Sequence, residues 1–251
     1  MAKLFNKIRK KLVSEKPSAN RTANYLKYAI GEIILVVIGI LIALSINNWN
    51  EDRKLKNELG LFKVSLISEL NKDIISITKE LNLLNDDIKK LDKYFIRMSS
   101  QSVNKDTLVK IFNIEFNPTI YGAIKFNNNT VNTLKASGNF SKLEKWLQND
   151  IVKILEKKGN YFTLHSDIAN YVDLLTLNGN NYPRSLEPLE RHSKLNKAIW
   201  QKVNFEDLGA FMNNLFGATY IVEIDAITHL KKINADTKQL LQKLISELSN
   251  D

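Results

Sequence analysis

From Tyr28 to Ile46 the chain reads YAIGEIILVVIGILIALSI, about 19 almost unbroken apolar positions. As a helix rising 1.5 Å per residue this segment is roughly 28 Å long, which matches the hydrocarbon core of a bilayer. Beyond Trp49 the pattern changes. Leu55, Leu59, Phe62, Leu66, Leu70, Ile74, Ile77, Leu81, Leu84, Ile88, Leu91, Phe95 and Met98 recur at spacings of three and four, with no proline among them. This predicts a long amphipathic helix over 51–98 with a heptad-like seam. The 4-4-3 spacing across Leu66, Leu70, Ile74 and Ile77 is a stutter that relaxes left-handed supercoiling.

Shorter elements follow. Ser99 to Asn104 reads as a turn, Asp106 as the cap of a short helix to Phe112, and Asn117-Pro118 as its stop. TIYGAIKF is a short strand or an extended connector, and VNTLKAS is a short helix ended by Gly138. Ser141-Lys142-Leu143-Glu144 fits a capping box that opens a helix through Leu155, and Gly159-Asn160 ends or interrupts it. The stretch 178–188, NGNNYPRSLEP, is the clearest loop. Asn204 caps a helix containing Leu208 and Leu215, and Tyr220 to Leu248 forms a final long helix.

The predicted fold is therefore all-α. A basic tail (1–27) and a transmembrane helix (28–48) precede an exported helical domain (49–251). In that domain long helices at 51–98 and 217–249 pair antiparallel as a stalk, and 106–216 form a distal helical cap. Only 9 Gly and 4 Pro in 251 residues fit long helices better than many turns.

Charge orients the apolar segment. Residues 1–27 carry eight basic side chains against Glu15, or +7, which leaves +2 of the net +9 for the remainder. The positive-inside rule places this tail in the cytoplasm and the C-terminal domain in the periplasm, with Trp49 and Tyr28 in interfacial belts. The rival reading is a cleaved signal peptide, because Ala43-Leu44-Ser45 resembles a small-x-small cleavage site. Within the tail, Leu4, Phe5, Ile8 and Leu12 share one helical face among lysines, a pattern suited to an anionic leaflet. A topogenic role accounts for the basicity, so no nucleic-acid partner is expected.

Candidate chemistry is sparse. With no cysteine, a disulfide framework, thiol catalysis and thiolate metal sites are excluded. Glu32 is the one ionisable group in the apolar segment; an acid there can mark an ion path or a partner contact, and the more ordinary reading is a headgroup contact at the cytoplasmic edge. Gly31, Gly39 and Ala43 lie on one stripe at spacing four and would let a second helix approach closely. His165, His192 and His229 stand far apart; His165 near Asp167 is the nearest approach to a catalytic pair, and Ser137 before Gly138 reads as a helix end. Asp86-Asp87 and Asn127 to Asn129 read as a solvated helix face and a capped turn rather than cation ligands. Tyr161, Phe162, Tyr171, Tyr182, Trp200 and Phe205 line a distal pocket or, more ordinarily, a core. No cofactor motif is present.

The segment KYAIGEIILVVIGILIALSINNWNEDRK, with NTLKASGNF downstream, resembles a family of uncharacterised single-span membrane proteins of Gram-negative bacteria. The resemblance implies an inner-membrane anchor with an exported helical domain, and it implies no activity or ligand. The expected role is a non-enzymatic interaction or scaffold protein of the cell envelope, in contact with the bilayer and with a second copy or another envelope protein. The alternative is a ligand-sensing exported domain that signals through a membrane partner.

Overall fold

The computed structural model describes residues 21–116, 124–178, 182 and 193–249, with 21–24, 167–169 and 171–178 described by backbone alone. Among them are six α-helices and no strand: α1 (Arg21–Met98), α2 (Lys105–Val109), α3 (Asn129–Ala136), α4 (Lys145–Asn178), α5 (Lys194–Lys202) and α6 (Phe205–Leu248). A π-helical turn, Lys110–Glu115, follows α2, and a 3-10 turn, Asn139–Lys142, follows α3. The chain divides into two units, residues 1–61 and 62–251, and each is described by itself.

The first unit, from Arg21 onward, is the leading part of α1. From Tyr25 on most of its apolar side chains are exposed and none is buried, and one 18-residue window within Tyr25–Met98 is long and apolar enough to cross a membrane.

In the second unit α1 and α6 run antiparallel, as the seam predicts. Lys63 Nζ meets Glu247 at 3.0 Å, Ile77 and Leu84 pack with Ile227, Leu230 and Ile233, and the Phe95 ring crosses Tyr220 edge-on at 6.2 Å. Helix α4 is the third long member. It runs parallel to α1, since Lys63 reaches Glu144 at 2.8 Å and Asp73 reaches Lys158 at 2.6 Å, and antiparallel to α6, since Asp150 pairs with Lys243 and Lys157 with Asp236. The expected cap over 106–216 is thus corrected: α4 belongs to the bundle because Leu147, Ile151, Ile154 and Tyr161 at helical spacing bury one face in it.

The return from the top of α1 to the start of α4 is the fourth, irregular member. Tyr94 Oη donates to the Glu115 carbonyl at 3.0 Å and Arg97 pairs with Glu115; further down, Ile124 and Phe126 pack on the Ile77–Tyr161 core, and α3 follows. Residues 117–123, including most of the expected strand, lie outside the described residues; 124–128 are irregular chain. At one end of the unit an aromatic core joins Tyr94, Phe112, Phe116, Trp200 and Phe216, with Phe116 and Phe216 centroids 4.4 Å apart. Three consecutive buried residues, Ile111, Phe112 and Asn113, lie in the π-helical turn, and Ile111 and Phe112 join this core.

Local signals differ in outcome. Asn204 caps the last helix by accepting from Asp207 N at 3.0 Å, but that helix starts at Phe205 and runs unbroken to Leu248, so the two helices expected on either side of 216–220 are one. Gly138 takes the left-handed conformation (φ 76°) after α3. Asn104, not Asp106, caps α2 through Thr107 N. The expected capping box does not form: Ser141 Oγ donates to Gly138 O, Glu144 binds Lys63, and α4 starts at Lys145. Gly159-Asn160 does not interrupt α4, since no neighbour crowds Gly159 and no proline follows.

Candidate functional site

Of the membrane-helix residues singled out in the sequence, Glu32 and Ala43 are exposed, and Gly31 and Gly39 are partly shielded by their own helix. No atom lies within 4 Å of a Cβ built on Gly39, so among the described residues nothing packs on the stripe there. At its end, Trp49 is exposed and the Arg53 guanidinium sits 5.4 Å from its ring centroid. Asn47 donates to Glu51 at 2.9 Å, which gives the helix a polar collar after the apolar run.

The second unit holds a polar constellation that the sequence reading missed. Along α1, Glu69, Asp73, Glu80 and Asp87 follow one another at spacings of four, seven and seven. The seam places Ile74 inward; the structure buries Asp73 completely and leaves Ile74 half-buried. The reason is the irregular return segment. A helical neighbour satisfies its own backbone, whereas chain at 124–128 and the first turn of α3 present free N–H groups that need acceptors. Asp73 Oδ1 accepts from Asn127 N at 2.9 Å and from Asn127 Nδ2 at 2.8 Å, and Glu69 Oε1 accepts from Thr130 N at 3.0 Å. Asn128, at the N-cap of α3, makes no side-chain cap, so Glu69 of α1 caps that helix through Thr130 N, while Asp73 holds Asn127 just before it.

Lys158 on α4 completes the group. Its Nζ is 2.6 Å from Asp73 Oδ2 and 3.1 Å from Asn128 Oδ1, and lies 5.1 Å from the centre of the Phe126 ring. Both charges of the pair are buried, and each is held by further hydrogen bonds, the condition under which a buried pair is tolerated.

Above this level lie acids without partners. Glu80 Oε1 and Tyr161 Oη are buried with no hydrogen-bond partner; burial holds the Glu80 carboxyl above the ordinary range, and burial together with the Glu80 charge pushes the Tyr161 phenol up. Glu223 on α6 is also buried, its Oε2 unpartnered. Burial first, then the charge of Asp87, pushes it up to about 8, with Lys90 opposing. Lys90 itself is tied to Asp87 at 2.7 Å. Glu223 is therefore a neutral carboxylic acid at neutral pH.

The histidines are not brought together. His165 stacks obliquely on Tyr161 with centroids 5.6 Å apart, His229 Nδ1 lies 3.0 Å from the Asp225 carbonyl oxygen one turn back, and His192 and the Asp167 side chain lie outside the described residues. Ser137 Oγ donates to the Leu134 carbonyl, the ordinary contact of a helix end. Asp86 and Asp87 pair with Lys89 and Lys90 on their own helix. Of the aromatics, Tyr161 and Trp200 are core, while Phe162 is exposed. Among the described residues no group of three or more His, Asp or Glu side chains is placed to hold a metal ion. Glu69 and Asp73, with Lys158, thus act as a structural clasp for the return segment.

Residues 32–207 match a family of unknown function, DUF6090. The chain belongs to the DUF6090 family. The match runs from Glu32 in the apolar helix through α3, α4 and α5 to the first turn of α6, so it takes in both the bilayer-length segment and the clasp. No curated protein and no solved structure matches the chain significantly.

Proposed function

We propose that this DUF6090 protein is a single-pass inner-membrane protein whose periplasmic helical unit acts by contact with other envelope proteins or with a second copy of itself. The observation that carries this reading is the apolar window of α1, none of which is buried within the chain. Nineteen or so consecutive apolar residues left wholly exposed would drive aggregation in water, and a bilayer is the solvent that accepts them. The excess of basic residues before the window supports a cytoplasmic N-terminus. The bundle supports a contact role: Glu69, Asp73 and Lys158 hold the return segment in place, and no nucleophile and base stand together among the described residues. In-cell crosslinking of tagged full-length protein, followed by mass spectrometry, tests the reading. A recurrent distinct partner or a self-crosslink supports it, and the absence of both counts against it. Fusion of alkaline phosphatase after Asp251 tests the orientation, with an active fusion expected and an inactive one contradicting it.

A further inference from the structure

Helix α5 is amphipathic in an unusual sense. Ser193 caps it by accepting from Asn196 N at 3.0 Å, and Trp200 turns inward to meet Phe112 at 5.9 Å, yet the opposite face is also apolar. Leu195 is 71% exposed, and Ile199 and Phe205 are each 37% exposed. Leu195, Ala198, Ile199 and Val203 form the floor of an open groove of about 490 Å³ between α5 and the start of α6. Lys202 of α5 and Asp207 of α6 both line it; both are exposed, and neither has an ion-pair partner among the described residues.

An apolar floor lined by one basic and one acidic side chain is complementary to itself. When two such grooves meet about a two-fold axis, Lys202 of each copy faces Asp207 of the other, and Leu195 and Ile199 of both leave water together. We infer that the α5–α6 groove is an isologous contact surface for a second copy of this chain. The inference rests on the contact reading above and names its surface. The occupant follows from the charges: a uniformly acidic or basic partner satisfies one of them and is repelled by the other, whereas a second copy satisfies both.

The chain has no cysteine, so a single introduced thiol reports the contact without interference. Full-length protein carrying Ile199→Cys, reconstituted in lipid nanodiscs and treated with copper phenanthroline, is expected to form a disulfide-linked dimer. Ile75→Cys, at a still more exposed position on α1, is expected to stay monomeric. Adding Lys202→Glu or Asp207→Lys to the Ile199→Cys chain is expected to reduce the dimer about tenfold, equivalent to about 1.4 kcal/mol. Mixing the two charge-reversed chains is expected to restore it, because each cross-copy contact again joins opposite charges. Asp207 lies in the first turn of α6, so circular dichroism accompanies each variant, and Leu195→Asp tests the same contact if Asp207→Lys unfolds. Absence of the Ile199→Cys dimer, equal crosslinking at Ile75→Cys, or indifference to charge reversal overturns the inference. If that occurs while the protein still captures a distinct envelope protein in cells, the groove fails and the contact reading stands.

Discussion

The ammonium of Lys158 on α4 lies 2.6 Å from a carboxylate oxygen of Asp73 on α1, 85 residues away in sequence, and both groups are removed from water. Asp73 serves two masters, because its other oxygen accepts two hydrogen bonds from Asn127. Removing either charge strands the other. Asp73→Ala and Lys158→Ala are each expected to lower stability by about 3–5 kcal/mol. The double change Asp73→Leu with Lys158→Met is expected to recover only part of that loss, because Asn127 N remains without an acceptor. Thermal unfolding followed by circular dichroism on the full chain in detergent checks this; full recovery in the double variant would show that the Asp73–Asn127 contact contributes nothing.

Glu223 sets a pH dependence. Its carboxyl titrates near 8 when folded against 4.5 for the unperturbed group, so the folded state holds a proton that the unfolded state has released across that window. A raised pKa means that this stabilisation is complete below 4.5 and is lost as pH rises through 8. Across the window the loss is on the order of 4 kcal/mol. Glu223→Gln, which keeps the shape and cannot ionise, is expected to flatten the decline between pH 5 and 9. An unchanged slope in denaturant titrations would contradict the assignment.

Tyr161 offers a test in the opposite direction. Its hydroxyl is buried without a partner, and an unmade buried hydrogen bond costs free energy that a phenylalanine avoids. Tyr161→Phe is expected to leave stability unchanged or raise it by about 1 kcal/mol, read from the urea midpoint. A loss of that size would reveal a partner for the hydroxyl.

Gly138 sits at φ 76° after α3, in the region that side chains with a Cβ resist. Gly138→Ala is expected to cost about 1 kcal/mol, and Gly138→Asn less, since asparagine tolerates this conformation. No atom crowds the position, so the comparison of thermal midpoints isolates the backbone effect.

The three long helices of the bundle show how far periodicity carries. Leu66, Leu70, Ile77, Leu84 and Leu91 all face inward as the seam on α1 predicts, and Leu230, Ile233 and Leu244 do the same on α6. Asn204 and Gly138 announce their caps because each acts on its own neighbours in sequence. Asp73 does not. A charged residue beside Ile74 reads as solvated, and its burial depends on Asn127 and Lys158, 54 and 85 residues away. The heptad recurrence of acids at 73, 80 and 87 sets them along one line of the helix, yet only Asp73 meets the irregular segment, so the recurrence by itself does not reveal that neighbour. The groove of α5 is similarly hidden, because its floor exists only once Trp200 has chosen the other side.

A helix of eight residues capped by its own side chains can flicker into existence alone, however weakly. The helix Asn129–Ala136 lacks that option, since its cap is Glu69, 61 positions upstream, on a different helix. Its cap forms only when a 61-residue loop closes, and that closure costs chain entropy before the contact rewards it. Residues 129–136 are therefore a helix by virtue of where they lie, and a chain that loses the carboxylate of Glu69 loses the start of a helix to which Glu69 does not belong.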